Sequence, residues 1–168
     1  YNIVGSAYKN KGEFVNEKNN FKFGLKLDQN NLALMNNLAM SYKNLLQYDL
    51  SEELFVRVIE LNNKYINAYI NLGNLKRDLN QFNKAIELYE KALSISKDNP
   101  IIYYSLALAH QGIGNFEKTI IYSKKVLEIE PNFTRADHLI SQSTKYDEEN
   151  EHYKTLMDKK DNMNLKDF

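Results

Sequence analysis

A chain that resembles itself when shifted by 34 residues has few folds open to it, and the segment 66–99, INAYINLGNLKRDLNQFNKAIELYEKALSISKDN, is echoed along most of this one. The clearest tracer is a column of small side chains: Gly5, Ala39, Gly73, Ala107 and Ser141. Just before it stands an apolar column, Val4, Leu38, Leu72, Leu106 and Ile140, and nine residues after it an aromatic, Phe14, Tyr48, Phe82 and Phe116. A second apolar stripe follows at Leu25, Ile59, Leu93 and Leu127, with Leu27, Leu61, Ile95 and Ile129 two positions on. A unit of this length cannot bury its apolar face alone, so the period predicts stacked helix pairs that share a continuous core. The small residue would let two helices approach at the short end of the ~8–10 Å interaxial range, with the following aromatic filling the facing groove.

The period divides the chain into unit one, 1–31, truncated at its N-terminus, and units two to four at 32–65, 66–99 and 100–133. A partial fifth unit and a polar helical junction occupy 134–168. Gly12, Asn80 and Gly114 recur where the first helix of a pair must stop and reverse, and both residue types tolerate the left-handed conformation such a stop needs. Leu46 takes that place in unit two, which predicts a less tightly capped turn. Pro100 fits the first turn of a helix, where its missing N–H is not needed. Unit one carries Glu17 and Gly24 where later units have Ser51, Ala85, Thr119 and Val58, Ala92, Val126, so its second helix is expected to be the loosest. Residues 134–144 read as a further first helix, with no second helix of the repeat type after it and a short helix near 149–160.

Asn71-Leu72-Gly73, Phe82, Ala85, Tyr89, Ala92 and Leu93 resemble the signature of the tetratricopeptide repeat, and the resemblance runs without a gap over 1–133. It implies an all-α fold, a right-handed α-solenoid of tetratricopeptide helix-turn-helix repeats. Its members act as protein–protein interaction scaffolds, taking an extended peptide or protein on a concave face lined by the first helices. The columns expected there are Asn36, Ile70 and Tyr104 after Asn2; Asn37 and Asn71; Met40, Asn74 and Leu108 after Ser6; and Lys43, Arg77 and Gln111 after Lys9. Side-chain amides can both donate to and accept from a peptide backbone, which suits Asn37, Asn71 and Asn74 to a sequence-tolerant site. The competing reading is a compositional bias towards Asn at exposed positions. Lys43 and Arg77 could meet ligand carboxylates or merely complement a helix C-terminus. The family's carboxylate clamp for chaperone tails needs cations where this chain has Asn2, Asn37, Asn67 and Asn71, so that ligand is excluded.

Other classes fare worse. Twenty-two basic and 22 acidic residues cancel, so the positive field of a nucleic-acid binder is absent. The longest apolar run, 101–109, falls far short of the ~20 residues of a membrane span. There is no Cys, which removes thiolate metal sites and points to a reducing compartment; a bacterial cytoplasmic location is the expectation. His138 and His152, with Asp137 and Glu151 nearby, do not have the spacing of a metal motif, and His110 reads as a packed, hydrogen-bonded residue between first helices. Gly112-Ile113-Gly114 ends a helix rather than opening one, unlike a phosphate loop. No nucleophile and base are spaced for catalysis, so the chain is not read as an enzyme and no cofactor or metal is expected. Residues 136–158 resemble the junction after the repeats of bacterial tetratricopeptide-containing sulfotransferases, through Ala136, Leu139, Thr144-Lys145-Tyr146, His152 and Met157. That resemblance implies a parent protein with a catalytic domain beyond Phe168, and the opening at Tyr1 likewise reads as a fragment, which leaves a leader upstream open. A homotypic assembly module is the third reading.

Overall fold

The computed structural model describes residues 14–144 and 151–162, and every regular element among them is an α-helix. In order these are α1 (Phe14–Leu27), α2 (Leu32–Asn44), α3 (Tyr48–Leu61), α4 (Ile66–Asp78), α5 (Phe82–Ile95), α6 (Pro100–Gly112), α7 (Phe116–Ile129), α8 (Thr134–Ser143) and α9 (Glu151–Asn162). Asn2, Val4, Gly5, Ser6, Lys9 and Gly12, like Lys145 and Tyr146, lie outside the described residues. The chain forms two compact units, 1–97 and 98–168. In the first, each helix from α1 to α5 packs on the next, and α2 also touches α4. In the second, α6 packs on α7, α7 on α8, α6 on α8, and α8 on α9. Contact between neighbours and between alternate first helices is the packing pattern of an α-solenoid.

Local chemistry sets the helix ends. Asn31, Asn99 and Asn115 accept hydrogen bonds through Oδ1 from the backbone N–H of Leu34, Ile101 and Lys118 at 3.0, 3.0 and 3.1 Å. Each satisfies one donor that the first turn leaves over. Pro100 opens α6 as expected. Helices α2, α4 and α6 all close through a left-handed residue, Leu46, Asn80 and Gly114, at φ 59°, 57° and 74°. In each case the next N–H, of Gln47, Gln81 or Asn115, donates back to the carbonyl of Tyr42, Lys76 or His110 at 2.9, 2.8 and 2.9 Å. The loose turn expected at Leu46 is therefore not there. Closure of the hairpin imposes the conformation, and Leu46, 71% exposed, gains no packing in return.

The core follows the repeat with two corrections. Leu38, Leu72, Leu106 and Ile140 are buried, as are Ser51, Ala85 and Thr119, and Val58, Ala92 and Val126. Yet the aromatic facing the small column stands sixteen residues after it, not nine. Phe55 shares a cluster with Ala39, Leu72 and Leu75. The ring of Tyr89 lies so near Gly73 that a Cβ there would be 2.4 Å from Cε1. Tyr48, Phe82 and Phe116 open their helices; Tyr48 is half-buried against the Ala39–Phe55 cluster, while Phe116 is half exposed. The second correction concerns Leu27, Leu61 and Ile129, which point outward at 70%, 41% and 38% exposure. Two residues advance a helix by about 200°, so they cannot share a stripe with Leu25, Ile59 and Leu127.

Hydroxyls also join the two helices of a pair. Ser51 Oγ donates to the carbonyl of Ala39 at 2.8 Å, and Thr119 Oγ1 lies 3.4 Å from that of Ala107, the same positions two repeats apart. Lys76, buried on α4, pairs with Glu52 of α3.

Two substitutions test this account. Leu46→Gly should raise stability by about 1 kcal/mol in urea unfolding, since glycine takes the left-handed conformation without the Cβ clash. Gly73→Ala should lower it by ~1–3 kcal/mol through overpacking against Tyr89. In a Tyr89→Ser background the same change should be neutral or stabilising, because the helix propensity of alanine then acts unopposed. Additivity of the two changes would show that the Gly73–Tyr89 approach does not set the packing.

Candidate functional site

In the first unit, α2 and α4 lie side by side and carry most of the residues expected to meet a ligand. Asn36 is buried at 7% exposure, and its Oδ1 accepts from Asn71 Nδ2 at 3.0 Å, so the amides of adjacent first helices are tied together. Tyr89, on α5, donates its hydroxyl to Asn74 Oδ1 at 2.8 Å. The residue that fills the space beside Gly73 therefore also aims a surface amide. Among the described residues, Asn71 Oδ1 and Asn74 Nδ2 make no other hydrogen bond. Asn37 and Met40 are half-buried, Met40 against the Ala39–Phe55 cluster, while Ile70 is buried.

The cations of this face have a partner within the fold. Lys43 Nζ lies 2.6 Å from Asp78 Oδ2, and Arg77 Nη2 lies 3.4 Å from Asp78 Oδ1. The first pair links the C-terminal ends of α2 and α4.

In the second unit the corresponding face belongs to α6 and α8. The ring of Tyr104 meets that of Phe133 at 5.1 Å between centroids, tilted by 53°. Phe133 also lines a shallow cleft of about 260 Å³ with Asn132, Thr134 and Arg135. Leu108 is half-buried, and Gln111 Nε2 donates to Gln142 Oε1 at 3.1 Å; Gln142 Nε2 in turn lies 3.0 Å from His138 Nε2. Sequence reading missed Phe133, His138 and Gln142 as members of this face. The signal was present for two of them, since His138 and Gln142 stand 34 residues after Tyr104 and Leu108. His110 is buried and stacks on Tyr122 of α7 at 5.4 Å, which puts it inside its own hairpin.

His138 turns to Gln142 and His152 to Asp137, and no group of three His, Cys, Asp or Glu among the described residues is placed to hold a metal ion. Burial raises the pKa of the Tyr65 phenol, on the turn before α4, and the hydrogen bond to Glu128 raises that of Lys125, on α7. Among the described residues no helix is long and apolar enough to cross a membrane.

Comparison with known proteins accords with this architecture. A family model described as TPR repeat matches residues 73–114, and models described as tetratricopeptide repeat match 31–64 and 101–133. No curated protein sequence matches the chain. Among solved structures, a crystal structure of MamA is 25% identical with a TM-score of 0.72, over 83% of this chain and 82% of that one. MamA from Desulfovibrio magneticus RS-1 is 17% identical with a TM-score of 0.75, over 96% and 94%. The Cut9–Hcn1 hetero-tetramer of the APC/C is 20% identical with a TM-score of 0.77, over 85% of this chain but 29% of that one. None of the three family models describes a sulfotransferase, and nothing in these matches supports that resemblance.

The Tyr89–Asn74 bond yields a prediction of its own. Tyr89→Phe keeps the ring beside Gly73 and should cost ~0.5–1.5 kcal/mol in stability. The Asn74 side-chain amide resonances should shift and broaden as its orientation is lost, and unchanged resonances would mean that Tyr89 does not aim it.

Proposed function

This chain belongs to the tetratricopeptide repeat family and is a protein-interaction scaffold, and we propose that its ligand is an extended polypeptide held along the exposed faces of its first helices. The observation that carries the proposal is the row of amides whose orientation is set from beneath: Asn71 by buried Asn36, Asn74 by Tyr89. An amide already fixed by its neighbour loses little freedom on binding, which lowers the cost of ordering the interface. With one acceptor at Asn71 and one donor at Asn74 still available, the row can pair with a strand's N–H and C=O groups whatever its side chains. Exposed asparagine from compositional bias has no reason to be oriented in this way.

Amides alone make a weak site, since a net hydrogen bond contributes only ~0.5–1.5 kcal/mol. Apolar contact is the stronger source of affinity, and the second unit by itself carries an apolar surface in Tyr104, Phe133 and Leu108. Burial of one ligand side chain there would contribute about 1.5–3 kcal/mol. At that second-unit face Tyr104 then contributes most to affinity, and a ligand preferred there carries an aliphatic or aromatic residue.

Peptides selected by display on the intact chain, with affinities measured by calorimetry, test the proposal. Asn71→Ala with Asn74→Ala should weaken binding roughly tenfold. Asn37→Ala should weaken binding at the first unit less than that pair does, and for peptides held by the second unit Tyr104→Ala should weaken binding at least as much. Retained affinity in all of these, with loss on changing Glu87, Glu90 and Lys91 on the exposed side of α5, would assign binding to the second helices instead.

A further inference from the structure

The residue before each first helix of the repeat is a capping position, and at Phe133 it is put to another use. Asn31 and Asn99 stand in that register and cap their helices through Oδ1. Tyr65 and Phe133 occupy it without a side-chain cap, so the stabilisation an Asn would give there is forgone. Tyr65 is packed against the Met35–Val58–Ala68 cluster and serves the core. Phe133 turns instead to Tyr104 and walls the cleft that it shares with Asn132, Thr134 and Arg135.

Two helix faces of opposite character adjoin this place. On α6, Ile101, Tyr104 and Leu108 are spaced i, i+3, i+7 and share one face, with Ile101 56% exposed. On α8, Arg135, His138 and Gln142 have the same spacing and are all exposed. The cation here differs from those of the first unit, where Lys43 and Arg77 share Asp78 and Lys76 pairs with Glu52. Among the described residues the Arg135 side chain makes no hydrogen bond or ion pair, and no carboxylate lines the cleft. Asp137, two residues on and so about 200° round the helix, is buried and meets His152 at 3.2 Å and Lys159 at 2.7 Å. Arg135 therefore stands beside a wall of two aromatic rings with its donors uncommitted.

We propose that the second unit takes an acidic peptide: an extended segment with an aliphatic or aromatic residue on the Tyr104–Phe133 surface and, two positions away, an internal Asp or Glu whose carboxylate meets Arg135. The proposal rests on the reading that the first helices carry the ligand, and it adds what that ligand contains. Charge complementarity selects the occupant, since a guanidinium can hold a carboxylate through two parallel N–H···O bonds and repels a basic segment. The spacing follows from the strand. Side chains at i and i+2 of an extended chain point the same way about 6.5 Å apart. That falls short of the ~8–10 Å between packed helix axes by a distance the long Arg135 side chain can span.

A random peptide library tests this, displayed as an internal segment so that no free terminus is offered, and selected in parallel on the intact chain and on its Arg135→Glu variant. The peptides scored are those whose binding Tyr104→Ala weakens. On the natural chain they should carry an apolar residue with Asp or Glu two positions away; on Arg135→Glu the apolar residue should persist and the acid give way to Lys or Arg. Changing the acid of an enriched peptide to its amide should cost about threefold to tenfold in affinity, less at high salt because Arg135 is exposed, and nothing on Arg135→Gln. The same motif on both chains, without an acid, would overturn the proposal and leave the peptide-binding reading standing. Recovery only from a library with free C-termini would overturn it too, since the carboxylate would then be the terminal one. If no peptide depends on Tyr104, both the proposal and the assignment of a ligand to this face fail.

Discussion

The approach of Tyr89 to Gly73 is the contact on which most of the first unit's geometry rests. A backbone without a Cβ admits an aromatic ring, the ring fixes how closely α5 lies on α4, and its hydroxyl reaches past the packed interior to orient Asn74. Packing and presentation are thus one arrangement. Elsewhere the same register is filled differently: Phe55 with Ala39, and Ser123 with Ala107, where Tyr122 and His110 stack one position round the helix. Side-chain volume is traded across the hairpin while the backbone path is kept, as close packing requires.

Much of this was legible because a repeat reads the same sentence several times. The small column, the leucine column before it and the Asn and Gly stops are each visible only because neighbouring units agree. What escaped had a common cause. The aromatic column Phe21, Phe55, Tyr89 ends in Ser123, so it does not announce itself as a column, while the aromatic nine residues on looks conserved in type and proves to be a helix start. Leu46 misled for the opposite reason: propensity argued against a left-handed leucine, and the hairpin required one. Local preference of about 1 kcal/mol yields when several helix contacts depend on the turn.

The candidate site was less readable than the fold. The sequence placed Asn36, Asn37, Asn71 and Asn74 on one face but could not tell which would support and which would present. Burial separates them: Asn36 lies beneath and positions Asn71. Lys43 and Arg77 were ambiguous between ligand and helix terminus, and a third possibility, a shared partner in Asp78, depended on the distance between two helix ends. Long-range pairs of this sort are set by stacking geometry that no single column encodes. The Asp137 cluster is the same case, since His152 and Lys159 read as ordinary polar residues until α9 is placed on α8.

One property of the contacts bears on how the chain reaches this structure. Among the described residues of each unit a helix touches only its neighbour or the next but one, and the Asn71–Asn36 bond joins residues 35 apart. No strand pairing or distant crossover has to be found among the described residues. Chains whose contacts are this local lose little entropy before the first native contacts form, and helical proteins of that kind fold in microseconds to milliseconds. Any one hairpin can begin the process, its neighbours adding to a template already present. The ribosome would deliver the chain in the same order, so each pair could close on the last before the next emerges.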